Sequence, residues 1–203
     1  GKSYLTFALH HLLKNIRQRD VEILGLDLKA GVVRDCQRIA EKLGCAGLRF
    51  EVGDIAGYAP AAQVDLVVTL HACDTATDDA IRFALHKQAQ FIVLAPCCQA
   101  EVAAVLRSRK NESLARTPLA ELWRHPIHTR EFGSQVTNVL RCLLLESHGY
   151  RLTVTELVGW EHSMKNELII ARRGGAPRGN ARERLAQILH ELNLDELQGR
   201  FDY

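Results

Sequence analysis

Short apolar runs alternate with longer amphipathic segments along most of the chain. Short segments with the spacing of strands are predicted over residues 21–28, 48–52, 64–70, 91–95, 152–158 and 168–171, and those over 64–70 and 91–95 are apolar and rich in β-branched residues. Apolar residues at helical spacing predict helices over residues 3–18, 32–43, 77–88, 134–148 and, in a charged segment, 180–198. Gly44 and Gly149 follow two of these helices at the position where helices commonly end. Residues 99–133 have less regular spacing and are predicted to be irregular.

The alternation of strands and helices predicts an α/β fold. It favours a doubly wound, Rossmann-like and mostly parallel sheet with helices on both faces. The last two strands are joined by a short hairpin, so the last strand is expected to be antiparallel. Because the chain opens on a helix, the first strand of such a sheet is expected to be missing from it. The composition shifts near Gly175, which predicts a main domain over residues 1–175 and a helical tail over 176–203.

The overall composition narrows the class of protein. The chain has 203 residues, of which 47% are hydrophobic and 25% charged, and its net charge is +2. These values are typical of a globular domain, and they neither require nor exclude a nucleic-acid partner. The sequence contains neither an apolar run of transmembrane length nor a signal peptide, and its six cysteines do not form a disulfide framework. A cytoplasmic protein without a membrane partner is therefore expected, in an oligomeric state that the sequence leaves open.

Reactive side chains follow two of the predicted strands. His71, Cys73 and Asp74 come directly after residues 64–70, and Cys97 and Cys98 come after residues 91–95. Since ligands of open α/β sheets sit beyond the carboxyl ends of the strands, these groups are predicted to meet a ligand. His71 can act as a base near neutral pH. Asp74 can act with it or can instead cap the following helix.

The adjacent cysteines allow three interpretations. Cys97 or Cys98 can be a thiolate nucleophile that contacts the ligand. They can join His71 and Cys73 in a metal site, although adjacent cysteines do not easily supply two tetrahedral ligands, and no metal is predicted. They can also be small apolar residues packed against backbone.

Two carboxylates end the first two predicted strands. Asp27 is placed where an acidic residue accepts hydrogen bonds from ribose hydroxyls in nucleotide-binding sheets, although it can also cap a helix. Asp54 can accept from an exocyclic amine while Ile55 covers the ring, or it can be a turn residue. Asn166, in the last hairpin, can offer a donor and an acceptor to a planar substrate. The opening Gly1-Lys2-Ser3 lacks the upstream glycine and spacer of a P-loop.

The stretch WRHPIHTR over residues 123–130 combines an aromatic ring with histidine and arginine. Such side chains can stack on bases and contact phosphates, which makes RNA a candidate partner. A solvated charged surface is the alternative interpretation.

The motifs together resemble those of class I S-adenosylmethionine-dependent methyltransferases. The matching pieces are GKSYLTFAL, GLDLK, GDI, LHACDTATD, APCC and MKNELII. More narrowly, they are similar to the domain shared by zinc-finger-bearing tRNA 2′-O-methyltransferases, related methyltransferase-like proteins, and proteins with a glutathione-transferase C-terminal-like domain. The resemblance implies S-adenosylmethionine as cofactor, a doubly wound sheet with an antiparallel last strand, and methylation of a polar acceptor, with RNA favoured.

The resemblance also implies site residues. Those expected around the cofactor are Gly1, Lys2, Tyr4, Asp27, Asp54, Ile55, His71 and Ala72. Those expected around the acceptor and the chemistry are His71, Asp74, Cys97, Cys98 and Asn166. Two alternatives remain open. One is covalent catalysis by a cysteine, as in RNA 5-methylcytosine methyltransferases, and the other is a non-catalytic binding module that keeps the fold.

Overall fold

A computed structural model describes residues 3–58, 62–70, 74–96, 100–108, 118–159, 166–176 and 179–203. The chain divides into two compact units, residues 1–60 and 61–203. No helix within the described ranges is long and apolar enough to cross a bilayer.

The first unit contains a parallel β-α-β arrangement preceded by a helix. Its elements are α1 (Tyr4–His10), a π-helical continuation (His11–Ile16), β1 (Ile23–Asp27), α2 (Ala30–Lys42), β2 (Leu48–Val52) and a 3-10 turn (Ile55–Gly57). Strands β1 and β2 pair in parallel, with Asp27 opposite Val52. The predicted strands and helices of this region are confirmed, apart from the π-helical turn.

A small apolar core holds this unit together. Buried Val33 and Cys36 of α2 pack with Phe50 of β2, and Phe7 of α1 adds its ring 5.5 Å from the ring of Phe50. Gly25 makes this packing possible, since a Cβ at that position would lie 2.5 Å from the Phe50 ring. The core therefore fixes the direction of both strands, and with it the position of the residues that follow them.

The second unit is larger and contains a four-stranded mixed sheet. Its elements are β3 (Leu66–Leu70), α3 (Thr75–His86), β4 (Phe91–Ala95), α4 (Glu101–Ser108), a 3-10 segment (Pro118–Trp123), α5 (Pro126–Ser147), β5 (Tyr150–Glu156), β6 (Glu167–Arg173), α6 (Ala181–Glu191) and a last 3-10 segment (Asp195–Arg200). The strand order is β3-β4-β6-β5.

The chain direction in this sheet agrees with the sequence prediction. Strands β3 and β4 are parallel, and β6 is antiparallel to both of its neighbours, β4 and β5. The expected antiparallel last strand is therefore confirmed. Together with the parallel β1-α2-β2 arrangement, this pattern gives the α/β, Rossmann-like class of fold.

The prediction of an irregular stretch over residues 99–133 is wrong for residues 100–108 and 118–133, most of which are helical. This stretch contains α4 and the first two turns of α5, which begins at Pro126, a residue well suited to the first helical position. The two helices pack closely, because a Cβ at Gly133 of α5 would lie 2.8 Å from the backbone nitrogen of Ala103 in α4. The glycine that weakens the helical pattern of the sequence is thus the residue that permits the contact.

The charged segment after residue 180 packs against the rest of the second unit. Leu185, Leu189 and Phe201 of this segment are buried. Arg200 donates two hydrogen bonds to the carboxylate of Glu101 at the start of α4, with N–O distances of 3.1 and 2.8 Å. The segment is therefore part of the second unit.

Candidate functional site

The first unit brings two of the predicted cofactor residues to the same edge of a parallel strand pair. Asp27 is the last residue of β1, and Asp54 follows β2 by two residues. The carbonyl oxygen of Asp27 accepts a hydrogen bond from the backbone nitrogen of Gly53 at 3.2 Å, which ties the two strand ends together. Asp27 and Asp54 therefore share the edge at which ligands of parallel sheets bind.

The Asp27 carboxylate is held in its ionised form. Its Oδ1 accepts a hydrogen bond from the backbone nitrogen of Lys29 at 2.8 Å. This hydrogen bond is the main reason why the pKa of Asp27 is lowered from its ordinary value of 3.8. At neutral pH the residue is an acceptor-only group at a strand end. Helix α2 begins at Ala30 with Lys29 as its N-cap, so the contact shapes the turn that leads into the helix.

Asp54 and Ile55 form the turn that follows β2. Asp54 is the N-cap of the 3-10 turn, and its Oδ1 accepts from the backbone nitrogen of Ala56 at 3.2 Å. The turn interpretation of Asp54 thus holds. Tyr4 lies on α1 with 73% of its surface exposed.

Several predicted site residues lie outside the described residues. They are Gly1, Lys2, His71, Ala72, Cys73, Cys97 and Cys98. The nucleophile and metal interpretations of the cysteines fall on these positions, and they stay predictions.

Asp74 connects the segments that follow β3 and β4. Its Oδ1 accepts a hydrogen bond from the backbone nitrogen of Ala100 at 3.1 Å. Among the described residues, the side chain makes no capping hydrogen bond to α3, although Asp74 occupies the N-cap position. Its backbone has φ 52° and ψ −122°, a conformation that only glycine adopts easily.

A buried ion pair lies beside Asp74. Arg141 of α5 and Asp78 of α3 are 1% and 2% exposed, and two hydrogen bonds of 2.7 and 2.8 Å join them. Arg141 also donates to the carbonyl of Asp74 at 2.9 Å and to the side chain of Asn138 at 3.2 Å. Asn138 in turn donates to the carboxylate of Glu167 at 2.6 Å. The network thus runs from the start of α3 to the start of β6.

A cleft of about 350 Å³ opens where β4 ends and β6 begins. Three carboxylates, Glu131, Glu156 and Glu167, line it. Its other lining residues are mostly polar, namely Pro96, Ser134, Gln135, Asn138, Val154, Thr155 and Asn166. The side-chain nitrogen of Asn166 donates to the carbonyl of Val158 at 2.5 Å, which anchors the amide at the cleft wall. Of the predicted acceptor residues, Asn166 is therefore placed in a polar cleft.

The start of α5 carries exposed basic and imidazole side chains. The rings of His125 and His128 meet edge to face, with centroids 5.3 Å apart. Arg130 pairs with Glu131 of the cleft at 3.2 Å. Positive charge therefore borders the acidic lining at this side.

A family model described as a methyltransferase domain matches residues 1–105 of the 203-residue chain. This match covers more than half of the sequence. The chain belongs to this methyltransferase-domain family. No curated protein sequence matches the domain significantly.

Solved structures add a distant likeness to the methyltransferase domain. The citrinin polyketide synthase CMeT domain is 16% identical with a TM-score of 0.48, and the comparison covers 84% of this chain and 44% of that chain. The PH0226 protein from Pyrococcus horikoshii OT3 is 11% identical with a TM-score of 0.45, covering 86% and 78% of the two chains. The chain thus spans less than half the length of the first of these proteins.

The side chains at the end of β1 in the methyltransferase domain fit the cofactor that such domains use. S-adenosylmethionine has a ribose with two hydroxyl donors, and an ionised carboxylate can accept both. Asp27 is such a carboxylate, held at a strand end by its hydrogen bond from Lys29.

The sequence prediction missed the polar network around Arg141. Arg141 lies in α5 between the buried residues Leu140 and Leu143, so an arginine within an apolar stretch was the available signal. A buried charge needs a partner, but the sequence could not tell which of several acidic residues supplies it.

Proposed function

We propose that this chain binds S-adenosylmethionine and transfers its methyl group to an acceptor in RNA. The family match supports methyl transfer. The motifs LHACDTATD and PCC support a place near the tRNA 2′-O-methyltransferases and their relatives. We also propose that residues 1–175 form the catalytic domain and that residues 176–203 are a helical tail, which packs against the rest of the second unit.

The observation that carries the cofactor half of this proposal is the pair of carboxylates at the ends of β1 and β2. Asp27 would accept the ribose hydroxyls, and Asp54 would accept from the adenine amine while Ile55 packs against the ring. Gly1, Lys2 and Tyr4 are proposed beside the methionine part, and His71 and Ala72 near the sulfonium. Bound S-adenosylmethionine supplies an activated methyl group, so the protein contributes mainly orientation and exclusion of water.

The acceptor half rests on the cleft lined by Asn166. Its carboxylates and amides form a lining rich in hydrogen-bond acceptors, which favours a group that donates hydrogen bonds, such as a hydroxyl or an exocyclic amine. Glu131, Glu156 and Glu167 disfavour a phosphate inside the cleft. Arg130 and the histidines beside it suit the RNA backbone outside the cleft.

Methyl transfer requires few further roles from the side chains. A base is needed only if the acceptor loses a proton, and His71 is proposed for that role. Asn166 would orient the acceptor, and Cys97 and Cys98 would shape its pocket. We propose a cytoplasmic location, which the free thiols of Cys36, Cys45 and Cys142 support.

Calorimetry with S-adenosylhomocysteine tests the cofactor half. The chain is expected to bind, and Asp27→Ala is expected to weaken binding by about 2–3 kcal/mol, since hydrogen bonds to a charged acceptor are lost. Asp35→Ala, which removes an exposed carboxylate of α2, serves as the matched control. Absence of binding at millimolar ligand, or equal losses in the two variants, would refute this half.

Transfer of a labelled methyl group to total RNA tests the acceptor half. The label is expected in a fraction that ribonuclease releases and protease does not. Label in protein alone, with cofactor binding intact, would reject RNA as the acceptor.

A further inference from the structure

We infer that Asp74 is a positioning residue that joins the segment after β3 to the segment after β4 through its hydrogen bond to Ala100. This inference rests on the proposed function for its catalytic consequence, but its structural content does not depend on activity. In the sequence, His71 lies between β3 and Asp74, and Cys97 and Cys98 lie between β4 and Ala100; all three are predicted to act near the chemistry. A tether between Asp74 and Ala100 would limit the separation of these two segments.

The tether is anchored from both ends. On one side, Asp74 Oδ1 accepts from the backbone nitrogen of Ala100 at 3.1 Å. On the other side, the carbonyl of Asp74 accepts from Arg141 at 2.9 Å. Since Arg141 is itself held by the buried carboxylate of Asp78 at 2.7 and 2.8 Å, the carbonyl is fixed by a group that has almost no freedom to move.

The backbone conformation of Asp74 indicates that its side chain has a specific role. At φ 52° and ψ −122°, Asp74 occupies a region that is unfavourable for any residue with a Cβ. Glycine would adopt this conformation at lower cost, but it offers no acceptor to Ala100. The side chain of Asp74 therefore accepts a hydrogen bond from Ala100 at a position where the backbone is strained.

A positioning role differs from a base in what it requires of the side chain. A base needs the carboxylate, whereas the tether needs only an acceptor oxygen on a short side chain. Asparagine keeps that oxygen at the same distance and tolerates a positive φ. It is therefore the variant that separates the two roles.

The test compares Asp74→Asn, Asp74→Ala and Asp74→Gly by methyl transfer to total RNA and by urea unfolding. We expect Asp74→Asn to keep the rate within about 5-fold and to leave the pH profile unchanged. Asp74→Ala and Asp74→Gly are expected to lose about 100-fold in kcat, the size of loss that a misplacement of about 1 Å causes. Asp74→Gly should show this loss of kcat without a decrease in its free energy of unfolding, because glycine also removes the backbone strain.

Hydrogen exchange of the Ala100 amide gives a readout that does not require activity. Protection is expected in the unmodified chain and in Asp74→Asn, and it is expected to fall at least 10-fold in Asp74→Ala and Asp74→Gly. A rate in Asp74→Asn as low as in Asp74→Ala, with Ala100 still protected, would show that the carboxylate itself reacts and would overturn the inference. Equal protection of Ala100 in all four proteins would overturn it as well. An inactive chain that follows the expected exchange pattern would refute the proposed function and not the tether.

Discussion

Replacement of Arg141 by methionine tests how much the buried ion pair contributes to stability. The substitution removes the guanidinium that holds both oxygens of Asp78, while methionine keeps much of the apolar volume. The carboxylate of Asp78, which is only 2% exposed, would then be buried without a counter-charge. Removal of one partner of such a pair typically costs about 3–5 kcal/mol. The carbonyl of Asp74 and the side chain of Asn138 would also lose a donor, so we expect the loss to lie at the upper end of this range.

Urea unfolding followed by tryptophan fluorescence is the assay. Both tryptophans of the sequence, Trp123 and Trp160, fall within residues 61–203, the unit that contains Arg141. With a slope of about 2 kcal/mol per molar urea, the midpoint is expected to fall by roughly 2 M. The control is Arg124→Met, which breaks an exposed pair with Glu121 whose side chains are 70% and 74% exposed. That variant is expected to lose less than about 1 kcal/mol.

The double variant Asp78→Leu with Arg141→Met separates the charge from the hydrogen bonds. It removes both charges, so it is expected to recover at least about 1 kcal/mol of the loss caused by Arg141→Met. The reasoning is refuted if Arg141→Met costs no more than Arg124→Met. It is also refuted if the double variant is less stable than Arg141→Met alone.

Three further predictions concern other parts of the chain. Burial raises the pKa of Cys142 from 9.0 to about 12. The contribution of the buried thiol to stability is therefore complete below pH 9 and is lost as the pH rises towards 12. Between pH 9 and about pH 10.5, the free energy of unfolding measured in urea should fall by roughly 1.5 kcal/mol less in Cys142→Ala than in the unmodified chain. Gly133→Ala should cost about 1–3 kcal/mol because the added Cβ would lie 2.8 Å from the backbone of Ala103, whereas Gly31→Ala, whose Cβ would meet nothing closer than 3.9 Å, should be neutral or slightly stabilising. The lowered pKa of Asp27 keeps this carboxylate ionised well below neutral pH. Its contribution to stability is present above pH 3.8 and is lost only as the pH falls through the lower pKa of the folded protein. Calorimetry should therefore show no loss of S-adenosylhomocysteine affinity from this group between pH 8 and 5.

The strands were the part of the fold that the sequence predicted best. The strands over residues 48–52 and 91–95 agree with the observed bounds to the residue, because the first alternates apolar and charged side chains and the second is a short apolar run. Helix α4 was missed because it has only eight residues, too few for its spacing to stand out. Helix α5 was predicted to begin eight residues too late because Gly133 and the polar residues before it interrupt the apolar pattern.

Some positions of the candidate site could likewise be predicted from the sequence, and others could not. The positions of Asp27 and Asp54 at one edge follow from the parallel topology alone, so the sequence could predict them. The partners of Asp74 could not be predicted, because Ala100 and Arg141 reach it only through tertiary packing. The pairing of Asp78 with an arginine 63 positions away could not be predicted either, because it depends on how α3 and α5 pack.

The place of β6 between β4 and β5 has a consequence for how the chain is made. Residues Phe91 to Leu94 pair with β3 on one side. On the other side they pair with Ile169 to Arg172, which are synthesised much later. Until the ribosome has delivered that late segment, an apolar strand edge stays open to other nascent chains. Chaperone occupancy during translation is therefore expected to end only when β6 emerges, and shortening the time between the two segments should raise the soluble yield.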